Sequence, residues 1–184
     1  MKLDSFEITE LELPGVLLIK PRVWNDERGS TVNTYSVEEL ERSRIINTSF
    51  VQDLTSCSRK NVLRGLHFQN TPHSQAKLVR CSSGEIFDVA TDYNQDSSTF
   101  GQYVSAILRG DEQTLLYIPA QYAHGFCVLS EDAVVEYKLS NAYNRDAVNG
   151  VRYDDPALNI DWPITNPILS EQDKSWPSIN SRQL

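Results

Sequence analysis

The stretch from Ile118 to Phe126 reads IPAQYAHGF, so a proline turn leads into an apolar run that carries a histidine. Its neighbours on either side, the segments Leu115 to Ile118 and Val134 to Leu139, are short runs of apolar or alternating residues. Such runs, bounded by turn residues, are typical of strands. This part of the sequence therefore predicts several short strands joined by tight turns.

The same pattern recurs over most of the chain. The further predicted strands are Gly15 to Ile19, Thr31 to Tyr35, Phe50 to Leu54, Val62 to Phe68, Lys77 to Cys81, Glu85 to Asp92, Tyr103 to Leu108 and Gly125 to Leu129. About ten strands at this spacing favour a sandwich or barrel over alternating strands and helices. One short peripheral helix is predicted at Val37 to Ser43, where Ser36 and Glu39 can form a capping box.

The composition limits the classes of function. The 184 residues suit a single domain, 1–184, that ends in a loosely patterned tail. With 25 acidic and 17 basic residues, the formal charge of −8 argues against nucleic acid or an acidic membrane as a partner. No apolar stretch reaches roughly 18 residues and the first residues carry acids, so we expect a cytoplasmic protein. The three cysteines form no C-x-x-C pair, which predicts free thiols.

The charge is distributed unevenly. Between Thr55 and Gly84 lie 30 residues without any acid, and they include two of the three histidines. The basic side chains of this block are Arg59, Lys60, Arg64, Lys77 and Arg80. Because a solvated face normally mixes both signs, an acid-free block across two predicted strands indicates an anion pocket. Chance segregation of charge over so short a block is the alternative.

Residues 61–69 read NVLRGLHFQ and place a histidine inside an apolar strand. In a regular strand Arg64 and His67 point to opposite faces. A bulge at Gly65 would bring them together, because glycine tolerates the backbone that a bulge requires. The spacing alone leaves open whether His67 is a functional group or a satisfied core residue.

The P-x-x-x-x-H spacing from Pro119 to His124 resembles the second motif of the cupins, which are small double-stranded β-helix barrels. Metal-binding cupins also need H-x-H and a glutamate in their first motif, whereas His67 is followed by Phe and Gln. The third histidine, His73, falls in a predicted loop, so the usual set of three histidines and a carboxylate cannot be assembled. The resemblance therefore favours a metal-free cupin.

Two tyrosines and one carboxylate are candidates for proton transfer. Tyr137 and Tyr143 lie near the end of a predicted strand, where a phenol can donate a proton on the side of a substrate opposite to a histidine. Asp173 can orient a histidine as the third member of a relay. Each has an ordinary interpretation as well, since strand-end tyrosines often pack and tail carboxylates are often solvated.

Together these segments resemble the dTDP-4-dehydrorhamnose 3,5-epimerase family, sugar-nucleotide epimerases built on a metal-free cupin barrel. The matching text, in order between Pro14 and Asp173, is NVLRGLHFQ, QAKLVRCSSGEIFDVATD, SSTFGQYVSAIL, LYIPAQYAHGFCVLS, EYKLSNAY, YDDPALNIDWP and ILSEQD. The resemblance implies an all-β double-stranded β-helix (cupin, jelly-roll barrel) that uses no cofactor. It implies an isomerase that inverts C3, C5 or both of a nucleotide-diphosphate-linked 4-keto-6-deoxyhexose, in deoxysugar and cell-surface polysaccharide biosynthesis.

The resemblance also implies roles for five residues. His67 is the base, Asp173 is the carboxylate that binds its other ring nitrogen, and Tyr137 is the acid that returns a proton to the opposite face. Lys77, in QAKLV, and His124, in AHGF, match the groups beside the C4 oxygen of the sugar. Negative charge develops on that oxygen when the enolate forms, so fixed donors have their largest effect there.

Four more assignments implied by the resemblance concern the nucleotide diphosphate. Arg28 and Arg64 match residues that bind the diphosphate, for which a guanidinium fork is well suited. Gln52 and Tyr143 match contacts on the nucleotide side, where the phenol ring can stack on the base. The resemblance further implies a homodimer, in which an N-terminal strand arm crosses to the partner and carries Arg28 into the neighbouring pocket.

Three positions depart from the family pattern. Asn33 stands where the family has a glutamate, Leu54 where it has an asparagine, and Val148 where it often has a glutamate. All three lie on the nucleotide or entrance side of the family pocket, so we expect the enolate chemistry to be conserved and the nucleotide or the sugar to differ. The departures leave open another nucleotide (CDP, GDP or UDP), another sugar, and inversion at a single carbon.

Two other functional classes fit parts of the sequence. A metal-dependent cupin oxygenase or isomerase would use His67 and His124 as ligands, and an essential bound metal would identify it. A catalytically silent cupin would bind a sugar nucleotide or only mediate assembly. The retained acid and base argue against the silent cupin, because ligand binding alone needs no proton donor opposite a histidine.

Overall fold

The computed structural model describes residues 4–42 and 49–181. Within these residues the chain forms two large β-sheets, a separate two-stranded hairpin and two short α-helices. The strands are β1 (Phe6–Glu10), β2 (Leu17–Pro21), β3 (Val23–Asp26), β4 (Gly29–Val32), β5 (Gln52–Arg59), β6 (Leu63–Gln69), β7 (Lys77–Ser83), β8 (Glu85–Asp92), β9 (Tyr103–Arg109), β10 (Leu115–Ile118), β11 (Tyr122–Val128), β12 (Asp132–Leu139) and β13 (Val148–Gly150). The helices are α1 (Val37–Arg42) and α2 (Glu171–Ser175), and Ile179–Ser181 forms a 3-10 helix.

The two large sheets are antiparallel and pack face to face. One has six strands in the order β1-β2-β10-β7-β12-β5, and the other has five in the order β13-β6-β11-β8-β9. Many neighbouring strands are far apart in sequence, because the chain passes repeatedly from one sheet to the other. The hairpin β3–β4 pairs as its own two-stranded sheet. This arrangement confirms the predicted all-β barrel of the double-stranded β-helix type.

Two of the predicted strands agree with the observed ones at both ends. β8 and β10 have the predicted bounds. The strand predicted from Thr31 to Tyr35 was displaced, since β4 begins at Gly29 and ends at Val32. Strands β1, β3 and β13 were missed, and β3 is exposed throughout, so no alternation of apolar residues marks it.

Helix α1 begins at the predicted residue, and the last predicted residue, Ser43, lies outside the described part of the chain. The capping box forms only in half. The Ser36 hydroxyl accepts a hydrogen bond from the Glu39 amide at 3.3 Å, but the Glu39 carboxylate binds the amide and hydroxyl of Ser5.

No helix in the described ranges has the length and apolar character needed to cross a bilayer.

Strand alternation determines which side chains face the space between the sheets. On β12 the buried residues are Ala133, Val135, Tyr137 and Leu139, and the residues between them are partly exposed. These four belong to one cluster with inward residues of β7, β8, β10 and β11. The period of two therefore places the Tyr137 phenol in an apolar inward row, opposite the five-stranded sheet.

Two facing glycines allow an irregular pairing of β6 with β11. His124 lies opposite His67, and the register shifts by one residue between there and Arg64. Gly65 has φ +126°, and a Cβ atom at this position would lie 2.5 Å from the Cα atom of Gly125. The bulge predicted at Gly65 is therefore present, and Arg64 and His67 both line one cavity.

Candidate active site

A cavity of about 650 Å³ opens between the two sheets. Strands of both sheets and the segment that carries α2 contribute to its wall. The predicted site residues in its lining are Arg64, His67, Lys77, His124, Tyr137, Tyr143 and Asp173. Three of them come from the acid-free block between Thr55 and Gly84, so the cavity wall is locally basic in an acidic chain.

His67 and Asp173 form one histidine–aspartate pair. The Nε2 atom of His67 donates a hydrogen bond to Oδ1 of Asp173. The Asp173 side chain is 5% exposed, whereas that of His67 is 36% exposed. Burial alone would raise the pKa of Asp173, but hydrogen bonds from His67, Ser170 and Trp176 outweigh it and the pKa is lowered. Asp173 is therefore ionised, and the Nδ1 side of the imidazole is the one that can exchange a proton with a ligand.

Tyr137 approaches the cavity from the other sheet. Its side chain is buried, and its hydroxyl lies 3.2 Å from the hydroxyl of Ser56 on the adjacent strand β5. Burial raises the pKa of Tyr137, because the phenolate would lose its hydration. The phenol thus keeps its proton at neutral pH and can act as a donor on the side of the cavity opposite to His67.

Lys77 provides a buried cation beside the first pair. Its Nζ atom donates to the backbone carbonyl of His67 at 3.0 Å. Burial lowers the pKa of Lys77 to about 8, and the charge of Asp88 acts in the opposite direction. The ammonium form dominates at neutral pH, and it is lost as the pH rises through about 8.

A second histidine–aspartate pair involves Asp88, a residue that the sequence reasoning missed. Nε2 of His124 donates to Oδ1 of Asp88 at 2.6 Å, and Asp88 is fully buried. Burial lowers the pKa of His124, although Asp88 opposes this shift. Asp88 occupies an inward position between Ile86 and Ala90 on β8, so strand alternation was the signal that could have found it.

The remaining predicted residues lie toward the outside. Arg64 lines the cavity, and its Nε atom donates to the Ser58 hydroxyl at 3.0 Å. The Tyr143 side chain, in a residue that is 59% exposed, also lines the cavity. Gln52 does not line the cavity itself, but its Oε1 atom accepts a hydrogen bond from the Tyr143 amide at 2.8 Å. Gln52 therefore fixes the backbone that carries Tyr143.

Arg28 lies apart from the cavity of its own chain. It occupies the turn of the β3–β4 hairpin, where its side chain is 88% exposed and paired with Asp26. The described residues that line the cavity do not include it. Within one chain, Arg28, which was predicted to bind the diphosphate, therefore lies apart from the predicted site residues that line the cavity.

The side chains of this cavity do not form a group that could bind a metal. Within residues 4–42 and 49–181, no three His, Cys, Asp or Glu side chains are grouped as ligands. Each histidine of the cavity uses its Nε2 atom to bind a single carboxylate. All three cysteines are free, and the one that lines the cavity is Cys57.

Comparison with known proteins agrees with this geometry. The family model described as dTDP-4-dehydrorhamnose 3,5-epimerase matches residues 10–181. This chain belongs to the dTDP-4-dehydrorhamnose 3,5-epimerase family. The enzyme of that name from Shigella flexneri is 43% identical over 90% of this chain and 92% of its own length.

Solved structures of the family extend the comparison. The dTDP-6-deoxy-D-glucose-3,5-epimerase of Legionella pneumophila, in complex with dTDP-4-keto-L-rhamnose, superposes with a TM-score of 0.92 at 38% identity, covering 97% of this chain and 95% of that one. A 3'-monoepimerase from Streptomyces bikiniensis, in complex with dTDP-quinovose, reaches a TM-score of 0.86 at 28% identity, covering 93% and 87%. The predicted cupin-type epimerase fold is confirmed.

The three departures from the epimerase family pattern occupy different places. Leu54 and Val148 line the cavity, and Leu54 is 48% exposed. Asn33 lies outside that lining, where its Oδ1 atom accepts from the Tyr35 amide at 3.2 Å and its Nδ2 atom lies 3.4 Å from the Ser5 hydroxyl. In this member of the epimerase family, two of the three substitutions therefore change the wall of the cavity.

Proposed function

We propose that this chain is an epimerase that inverts C3 and C5 of a dTDP-linked 4-keto-6-deoxyhexose through an enolate. One observation carries the proposal. A histidine held by a carboxylate lies on one sheet, a buried tyrosine lies on the facing sheet, and a buried lysine and second histidine lie in the same cavity. Inversion at carbon requires an acid and a base on opposite faces of the ring, and two facing sheets provide them.

The proposed reaction begins at His67. The imidazole takes the proton from C3 or C5, which the C4 ketone acidifies, and the electrons of the C–H bond form the enolate. Asp173 stabilises the imidazolium and keeps the ring oriented. The Tyr137 hydroxyl then donates its proton to the opposite face of the same carbon, and the enolate electrons form the new C–H bond. The phenolate takes a proton from solvent and the imidazolium releases its proton to solvent, which restores both groups.

Lys77 and the His124–Asp88 pair are proposed to bind the C4 oxygen. Charge develops on this oxygen as the enolate forms, and a buried ammonium ion stabilises it more strongly than a solvated one would. Asp88 opposes the effect of burial on His124, because a carboxylate next to the imidazole stabilises its protonated form. Removing one such donor typically costs about 3 kcal/mol of transition-state stabilisation.

The diphosphate and nucleotide are proposed to occupy the outer part of the cavity. Arg64 provides the charge there, and Tyr143, held by Gln52, provides an exposed ring on which a base can stack. Leu54 and Val148 give this region an apolar wall. We therefore expect any difference between this epimerase and its relatives to lie in how the base and the sugar are bound rather than in the enolate chemistry.

The proposed assembly is a homodimer in which the β3–β4 hairpin carries Arg28 to the partner's cavity. The hairpin stands apart from both large sheets, and its first strand, β3, exposes Val23 (40%) and Trp24 (42%). Mixing the variants Arg28→Ala and His67→Asn tests the idea, because a hybrid dimer then contains one cavity with both native residues. Recovered activity supports the shared site, and a stable monomer in light scattering contradicts it.

The test of the reaction is incubation with dTDP-4-keto-6-deoxyglucose in D₂O, followed by NMR of the sugar protons. Deuterium should enter at both C3 and C5 with net inversion. Entry at one carbon only identifies a single-site epimerase. A panel of the UDP, CDP and GDP sugars identifies the nucleotide, and binding without deuterium entry from any 4-keto sugar contradicts the proposal in favour of a silent cupin.

A further inference from the structure

We infer that Trp176 is a positioning residue that sets the proton affinity of the His67–Asp173 pair. The inference rests on the proposed function only in that His67 is taken to be the base. Sequence reasoning gave no role to Trp176, which follows α2 directly as its C-terminal cap. Three contacts of this tryptophan, with Gly150, Asp173 and His67, carry the argument.

The segment that carries Asp173 is attached to the barrel at both of its ends. On the N-terminal side, the Leu63 amide donates to the carbonyl of Ile168 at 3.0 Å. On the C-terminal side, the Ile179 amide donates to the buried carboxylate of Asp155 at 2.7 Å, and Ile179 is itself fully buried. Asp173 and Trp176 therefore lie on a short bridge whose ends are both attached.

The indole ring of Trp176 occupies the space over Gly150. A Cβ atom on Gly150 would lie 2.4 Å from Cε2 of the indole, closer than real Cβ contacts come. Glycine at position 150 therefore lets the ring lie flat against β13. Strand β13 pairs with β6 in register, with Gly150 opposite His67, so the ring is held beside the catalytic pair.

From this position the indole contacts both members of the pair. Its Nε1 atom donates to Oδ1 of Asp173 at 3.2 Å, and this is the oxygen that accepts from Nε2 of His67. Its ring meets the imidazole of His67 edge-on, with 6.1 Å between the ring centroids and 70° between the planes. Two donors thus share one carboxylate oxygen.

Sharing that oxygen has a defined chemical consequence. A hydrogen bond from the indole draws negative charge away from the contact with His67, so the carboxylate stabilises the imidazolium less. The base then releases its proton more readily after each turnover. The other titratable groups that line the cavity with His67 are Cys57 on β5, Arg64 on β6, Lys77 on β7, His124 on β11, Tyr137 on β12 and Tyr143, and a change at position 176 replaces none of them.

The test is an NMR titration of the His67 imidazole in Trp176→Phe, without substrate. Phenylalanine keeps an aromatic ring over Gly150 and removes the N–H donor, and the matched control makes the same reduction in ring size elsewhere. We expect the titration midpoint to rise by about half a unit to one unit, and the acidic limb of the kcat/KM profile to move upward by the same amount. Trp162→Phe is the matched control, because its indole donates to the Tyr153 carbonyl at 2.9 Å, away from the pair.

A second measurement uses the unmodified protein, so it does not depend on the folding of a variant. The indole N–H signal of Trp176 should shift with pH in step with the His67 titration, while that of Trp162 should not. An unchanged midpoint in Trp176→Phe, an equal change in Trp162→Phe, or an indole signal that ignores the titration would overturn the inference. None of these readouts needs turnover, so failure of the proposed function in the D₂O experiment remains a separate result.

Discussion

The two histidine–aspartate pairs in the cavity differ first in access to solvent. In the pair His67–Asp173, the imidazole side chain is 36% exposed and the carboxylate 5%. In the pair His124–Asp88, the corresponding values are 5% and 0%. A base that takes up and releases a proton in each cycle must exchange that proton with water, whereas a group that only donates a hydrogen bond to the substrate need not. The more accessible pair therefore suits the base and the buried pair suits the enolate oxygen.

The pairs differ also in how the chain supplies the carboxylate. Asp88 lies on β8, which pairs with β11 in the same sheet, so the backbone hydrogen bonds between these two strands fix its distance from His124. Asp173 lies 106 residues from His67, on a short helix of the C-terminal segment. The second arrangement needs added supports, among them the Ser170 cap and Trp176. Variants in and around each pair test whether the two pairs have these separate roles.

Replacing the base should have the largest effect. We expect His67→Asn to slow deuterium entry at both carbons by about 10⁴-fold, since a positioned general base contributes up to that factor. The measurement is NMR of the exchanged sugar. His73→Asn is the matched control, because His73 is exposed and lies outside the cavity lining. Normal exchange in His67→Asn would show that the base is assigned to the wrong pair.

Replacing the buried cation should come next. Lys77→Met is expected to lower kcat by about 10²–10³-fold, because it removes a donor to the enolate oxygen. In the native enzyme kcat/KM should fall as the pH rises through about 8, where the ammonium loses its proton. Lys77→Arg keeps its charge at that pH, so this alkaline limb should move upward even if the rate is lower. An unmoved limb would exclude Lys77 as its origin.

Removing the phenol of Tyr137 should separate proton exchange at a carbon from inversion of that carbon. Tyr137→Phe is expected to reduce net inversion by about 10²-fold while deuterium exchange continues, since His67 can still remove and return a proton on its own face. NMR distinguishes exchange with retention from exchange with inversion. Tyr153→Phe, outside the cavity lining, should alter neither. Equal loss of exchange and inversion in Tyr137→Phe would contradict its role as the acid.

The smallest effect is expected at the buried carboxylate. Asp88→Asn should reduce kcat by about 10-fold, because an outer partner orients and supports His124 without touching the substrate. The ratio of exchange to inversion should stay as in the native enzyme. A change in that ratio would mean that the buried pair transfers protons, and the contrast between the two pairs would fail.

These sites show which parts of the structure a sequence pattern can predict. The bounds of β8 and β10 and the bulge at Gly65 follow from apolar periodicity and from the freedom of glycine, which are local properties. The choice of Asp88 as the partner of His124 depends on the register between β8 and β11, which no local pattern reveals. The contact of Trp176 with Asp173 depends on the path of the C-terminal segment.

The β3–β4 hairpin contains features that the sequence pattern could not predict. Every residue of β3 is exposed, so the strand lacks the alternation that marks a half-buried one. Arg28 could be assigned from the family resemblance, but a single chain leaves it away from the cavity. In the proposed homodimer, the position of Arg28 relative to a cavity depends on a contact between two chains, which neither the sequence pattern nor the fold of one chain can give.

The most direct test of the separate roles of the two histidine–aspartate pairs compares His67→Asn with His124→Asn in the same D₂O experiment. We predict that His67→Asn slows deuterium entry at C3 and C5 by about 10⁴-fold, whereas His124→Asn retains entry at both carbons at a rate only about 10²–10³-fold lower. Deuterium entry that persists in His67→Asn and disappears in His124→Asn would contradict the account.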